Sequence, residues 1–162
     1  MSTINGLPTH PLLVHFLVVL TPLTAILAIL CVVWPAARQR LVWLVVALAS
    51  VNLVLTPITA EAGEWLEHKV EETAALEVHE HLGKTMIYVS IALLVAAILL
   101  AVSHVRSSRG KSSAAVSAIV AVLVVVVGLG ATVQVLRIGH SGAESVWGDA
   151  IAGAENGKEA DE

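Results

Sequence analysis

The residues of this 162-residue chain with the widest chemical reach are its seven histidines. Neutral imidazole ligates metal ions and haem iron, and it titrates near neutral pH. His10, His15, His68, His79, His81 and His140 lie near one end of four long apolar runs, and only His104 lies at the other. His10 and His15 are five residues apart, about 140° around a helix, so they cannot grip one ion together. His79 and His81, two apart, point to different faces, and at most one of them is expected to turn inward. Any ligand pair must therefore come from different helices. His15 lies about 7.5 Å deeper than His10 at a rise of about 1.5 Å per residue. It sits inside an apolar run, where an unpaired imidazole is costly, so it is expected to face the bundle interior and find a partner. Glu61, Glu64, Lys84 and Arg137 fall at the same level, and Arg137 is expected to pair with Glu61 or Glu64.

Two imidazoles at matching depth on facing helices are what a b-type haem requires. The candidate haem ligands are His10, His15, His79, His81 and His140, with Arg137 or Lys84 placed to meet propionates. No CxxCH motif is present, so covalent attachment is excluded. The alternative occupant is Zn²⁺ or Cu²⁺, held by His10, His79 and His140 with Glu61 and Glu64, or with Glu80. A third reading leaves the cluster without cofactor, as a satisfied structural or pH-responsive group. No nucleophile elbow, phosphate-binding glycine loop or HExxH motif occurs. Three functions are thus in contention: an electron-transfer module between a membrane donor such as quinol and an outer acceptor; a non-catalytic accessory or assembly subunit; and a metal- or proton-responsive membrane protein. Spans without acids or bases other than histidine speak against a proton pump or a voltage sensor.

The elements that must position these groups follow from composition. Hydrophobic residues make up 57 % of the chain and charged residues 14 %, with mean hydropathy +0.85, a membrane composition. A net charge of −4 leaves no footprint for nucleic acid. Cys31, the single cysteine, rules out an internal disulfide. Four stretches, about 11–34, 41–60, 83–104 and 113–136, are continuously apolar over the about 20 residues that a spanning helix needs, and none alternates as a strand would. Pro22 and Pro57 fall within spans and are expected to kink them. The first run is preceded by no Lys or Arg and is long for a cleavable signal, so it is expected to persist. The fold class is therefore all-α: an integral membrane four-helix up-down-up-down bundle occupying residues 1–148. Residues 61–82 are expected to form a short amphipathic helix on the outer surface, and 149–162 a disordered acidic tail.

Arg38 and Arg40 lie between the first two spans, and Arg106, Arg109 and Lys111 between the last two, while all 13 acids lie at the opposite ends. The positive-inside rule puts both termini, and the histidine-rich end, outside. Candidate partners are the lipid bilayer, quinol or a respiratory redox protein, and further copies of the chain.

Ile4–Phe16 (INGLPTHPLLVHF), Thr56–Glu67 (TPITAEAGEWLE), His79–Gly83 (HEHLG) and Val133–Gly148 (VQVLRIGHSGAESVWG) together resemble a bacterial family of small four-helix predicted membrane proteins of unknown function. The resemblance covers nearly the whole chain and implies an integral protein of a bacterial plasma membrane. It carries the family's outward motifs onto His10, Glu64, His79 and His140, and less securely onto His15, His68 and His81. This set and the depth argument for His15 point to different ligands.

Overall fold

The computed structural model describes residues 3, 4, 6–70, 73–111 and 113–159, with side chains except at 4, 7 and 149–159. A small antiparallel pair, β1 (Thr3–Ile4) and β2 (Leu7–Pro8), leads in. Its turn uses Gly6 at φ 81°, a conformation that glycine adopts freely. Four helices follow: α1 (Thr9–Val33), α2 (Pro35–Glu67), α3 (Ala74–Ser108) and α4 (Ala114–Glu159). Each is long and apolar enough to cross a membrane. Between α1 and α2 only Trp34 is non-helical; it is extended, as a residue preceding proline must be, and Pro35 opens α2 where its missing N–H costs nothing.

The bundle closes as a ring: α1 on α2, α2 on α3, α3 on α4 and α4 on α1, with slight contact across the α1–α3 diagonal. The expected surface helix over 61–82 does not form. Instead α2 continues unbroken to Glu67, and Thr73 caps α3 directly, its hydroxyl accepting from Leu76 N–H at 3.2 Å. A good N-cap at Thr73 gives the second half of that segment to α3. Glu71 and Glu72 lie outside the described residues. Beyond Gly148, where the sequence suggests a disordered tail, the backbone remains helical to Glu159; Asp161 and Glu162 lie outside the described residues.

Helices apolar all round must choose an inward face by something other than hydrophobicity. Large side chains such as Phe16, Val19, Ile26 and Ile119 point outward, and the interior collects Ala, Thr, Ser and Asn. In lipid there is little reward for hiding Leu from Leu, so close backbone approach and hydrogen bonds decide the contact faces. Three of the four interfaces carry a polar link. Asn52, fully buried on α2, accepts from Thr21 Oγ1 (2.8 Å) and donates to Thr24 Oγ1 (3.1 Å) on α1. Thr56 and Ser90 bridge α2 and α3 at 2.7 Å, and Gln134 donates to Thr85 across α3 and α4 at 2.8 Å. The α4–α1 interface uses absence instead: a Cβ on Gly128 would lie 3.4 Å from Ala25 and Ile29.

The polar links run from the His10–His79 end to the middle of the bundle. Toward the opposite end the core is mainly apolar, with Cys31, Val42, Val45, Leu100 and Val124 in one cluster and Ser103 also buried. Asn52→Leu is expected to lower stability by about 1–2 kcal/mol, the upper range for such links in membranes, read by denaturation in mixed micelles. Gly128→Leu is expected to loosen α4 from α1 more than Gly128→Ala.

Candidate functional site

The ring arrangement brings two of the seven histidines together. His10, the second residue of α1, and His79, in the second turn of α3, meet edge to face with ring centroids 6.2 Å apart and planes at 80°. Each is half-buried and each spends one nitrogen on the backbone of the other helix of its own hairpin. His10 Nδ1 lies 2.8 Å from the Thr59 carbonyl of α2. His79 Nδ1 lies 3.1 Å from the Ile138 carbonyl of α4 and 3.1 Å from Ser141 Oγ. A carbonyl can only accept, so in both rings Nδ1 carries the proton. In a neutral ring so anchored, Nε2 carries the lone pair.

Because α2 and α4 sit opposite one another in the ring, the two imidazoles are anchored from opposite sides of the bundle. Below the pair lies a cleft of about 70 Å³, open on one side and lined by all four helices, including Leu17, Thr56, Gly83, Met86 and Val135. Its walls are almost wholly apolar.

His79 stands above the apolar span, and its pKa is held below the ordinary 6.5 by burial first and by neighbouring His10 second, partly offset by the Ile138 carbonyl. A neutral ring is the ligating form. On the rim, Lys84 pairs with Glu80 one turn back, and Glu64 and Glu67 of α2 add to the negative field around it. The Glu80 carboxyl is lowered chiefly by its hydrogen bond to Lys84.

The remaining candidates stand apart from the pair. His15 is exposed on the outer side of α1, its Nδ1–H donating to the Pro11 carbonyl one turn back. The expectation that it faces inward is therefore corrected: with His10 inward, a residue about 140° away points out, and bonding within its own helix removes the need for a partner. His81 is exposed, as the two-residue spacing from an inward His79 requires. His140 is exposed and lies 3.9 Å from Glu144 on the same helix. Glu61 and Glu64 are exposed, and so is Arg137. Among the described residues the ion pairs are Lys84–Glu80 and His140–Glu144, so the expected Arg137 pairing with Glu61 or Glu64 is not made. Lys84 of α3 pairs instead with Glu80 of its own helix. Among the described residues, no three His, Cys, Asp or Glu side chains converge to hold a metal ion. His10, His79, His140, Glu61 and Glu64 thus do not form one ligand set.

Sequence reasoning missed Thr59, Ile138, Ser141, Gly63 and Gly142, which seat the rings. A signal for the inward histidine was nevertheless present. Thr21 and Thr24, which must find partners in lipid, fall within about 40° of His10 on a helical wheel, whereas His15 does not.

A depressed histidine pKa fixes the sign of a pH effect. Between the ordinary 6.5 and the lower folded value, the unfolded chain holds more protons than the folded one, so stability rises with pH there. His79's contribution is complete above about pH 6.5 and is lost as pH falls through that window. Thermal melts in detergent at pH 7.5 and pH 5 are expected to show a drop in wild type that His79→Gln reduces.

Residues 6–155 match the sequence profile of the family described as "Predicted membrane protein (DUF2231)". Neither the curated proteins nor the solved structures yield a match. With the match running from the lead-in turn through all four helices, the chain belongs to this family of predicted membrane proteins.

Proposed function

We propose that His10 and His79 are the axial ligands of one b-type haem, and that the protein is an electron-transfer module at the outer face of a bacterial plasma membrane. The observation that carries this reading is the pair itself: two adjacent imidazoles from diagonal helices, each with Nδ1 bonded to a backbone carbonyl and Nε2 left uncommitted. Two rings that share one metal at about 2.0–2.1 Å per bond have centroids about 6 Å apart, close to the 6.2 Å found. Two imidazoles fall short of the four ligands of a structural zinc site, whereas haem iron asks the protein for two axial ligands. Haem, when bound, supplies one-electron redox chemistry. The chain's part is to fix both rings, to present an apolar wall and to keep His79 neutral. Two imidazole donors and an apolar lining suit this group in kind, though not in size. The cleft of about 70 Å³ is smaller than a porphyrin, so loading requires the helices to part along its open side.

That narrowness favours one second reading, a bare copper ion between the same imidazoles. Buried Met86 lines the cleft two turns below His79, and a thioether suits Cu(I). Orientation rests on Arg38, Arg40, Arg106, Arg109 and Lys111 at the opposite end from the pair.

An absorption spectrum before and after reduction tests the haem reading. Expected is a Soret band with visible bands that sharpen on reduction, lost in His10→Ala and in His79→Ala and kept in His15→Ala and His140→Ala. A colourless protein that takes up no added haem overturns it, and one copper per chain by elemental analysis puts the second reading in its place. For orientation, a Cys31→Ala background carrying Lys69→Cys is expected to react with an impermeant thiol reagent on intact cells. Ser108→Cys is expected to react only after permeabilisation; the reverse pattern inverts the topology.

A further inference from the structure

The two hairpins repeat one another in detail. Leu17, Thr21, Thr24 and Ala28 follow His10 at 7, 11, 14 and 18 residues, and Met86, Ser90, Leu93 and Ala97 follow His79 at the same intervals. All eight are buried. On the return helices Val45, Thr56 and Ala62 of α2 correspond to Val124, Val135 and Ser141 of α4 at a constant offset of 79, and these too are buried. The cleft shares this symmetry: Val14 and Leu17 face Gly83 and Met86 at an offset of 69. Since α1 and α3 run parallel, the halves are related by an axis along the bundle, the parallel kind of internal repeat. The histidine pair sits on that axis.

Within each half the ring rests on a glycine one turn beyond the carbonyl that anchors it. His10 bonds to Thr59 and lies on Gly63, where a Cβ would come within 2.9 Å of both Cε1 and Nδ1. His79 bonds to Ile138 and lies on Gly142, where a Cβ would come within 2.9 Å of Cε1 and 3.2 Å of Nδ1. No real Cβ tolerates the shorter contacts, and neither ring can retreat without leaving its carbonyl. Gly139, also on α4, has nothing within 4 Å of such a Cβ.

We infer that Gly63 and Gly142 are positioning residues of two equivalent half-sites, each seating one imidazole against its carbonyl in the Nδ1–H tautomer. The tautomer is a property of the metal-free protein; that the remaining Nε2 nitrogens serve as ligands rests on the reading proposed above. Alanine is a better helix former than glycine, so both substitutions favour the helix itself. The halves differ in one respect, because Ser141 adds a second contact to His79 where α2 carries Ala62.

Nitrogen NMR of ¹⁵N-histidine-labelled, metal-free protein in detergent at pH 8 tests this. Wild type is expected to show His10 and His79 as Nδ1–H tautomers. Gly63→Ala is expected to shift the His10 signals alone, Gly142→Ala those of His79 alone, and Gly139→Ala neither. With haem, or copper if that is the occupant, each of the first two variants is expected to bind about 10–100-fold more weakly, the range for loss of outer-shell support. Wild-type rings found as Nε2–H overturn the inference without a folded variant being needed. Unmoved ring signals in Gly63→Ala and Gly142→Ala overturn the positioning role. A failure of the ligand reading alone appears differently, as correct tautomers in a protein that binds neither haem nor copper.

Discussion

Inside hydrocarbon a polar group has no partner except another part of the protein, and that constraint sets the rotation of every helix in this bundle. Asn52 is its clearest expression. Its amide meets Thr21 and Thr24 and also donates to the Leu48 carbonyl of its own helix, so the group is well satisfied with no charge involved. Once α1 is turned to present those threonines to α2, the position of every other residue on α1 is decided. His10 shares their face. The site at the bundle end is thus a downstream result of hydrogen bonding deeper in the bundle.

The same logic explains how the rings are held. An imidazole at a helix junction has two nitrogens to satisfy, and bonding to a backbone carbonyl settles one of them. Carbonyls of a helix are normally taken by amides one turn on, so a ring that shares one must come very near the backbone. Glycine at the next turn is what permits the approach. The cluster of small residues at the ends of α2 and α4 is therefore a steric requirement of the histidines, and the family match extends across both ends.

Much of this fold was legible in the sequence because hydropathy and span length are coarse properties that average over many residues. Four runs, their order and their short connections required no detail. Helix ends were less readable: Thr73 draws α3 outward by its cap, a local hydrogen bond that outweighs the amphipathic pattern of 61–82. Of the candidate site, the histidine end was legible and the pair that meets there was not, since hydropathy is silent about rotation. Depth along the membrane normal is not burial within the protein, so His15, deep within its apolar run, is nonetheless exposed. The resemblance pointed to His10 and His79, but also to His140, which the structure leaves exposed.

The two halves of the bundle differ as materials. The cleft and most hydrogen-bonding side chains lie from the histidine end to mid-bundle, while Cys31, Val42, Val45, Leu100 and Val124 dominate the core at the other. Electrically the second half is a dielectric plug, and the centre lies to one side of it. A full crossing of the membrane is worth about 2.3 kcal/mol per charge for each 100 mV, but a charge that reaches His10 and His79 from their own side and leaves the same way traverses little of that field. A charge placed at the two imidazoles is accordingly little coupled to the membrane voltage.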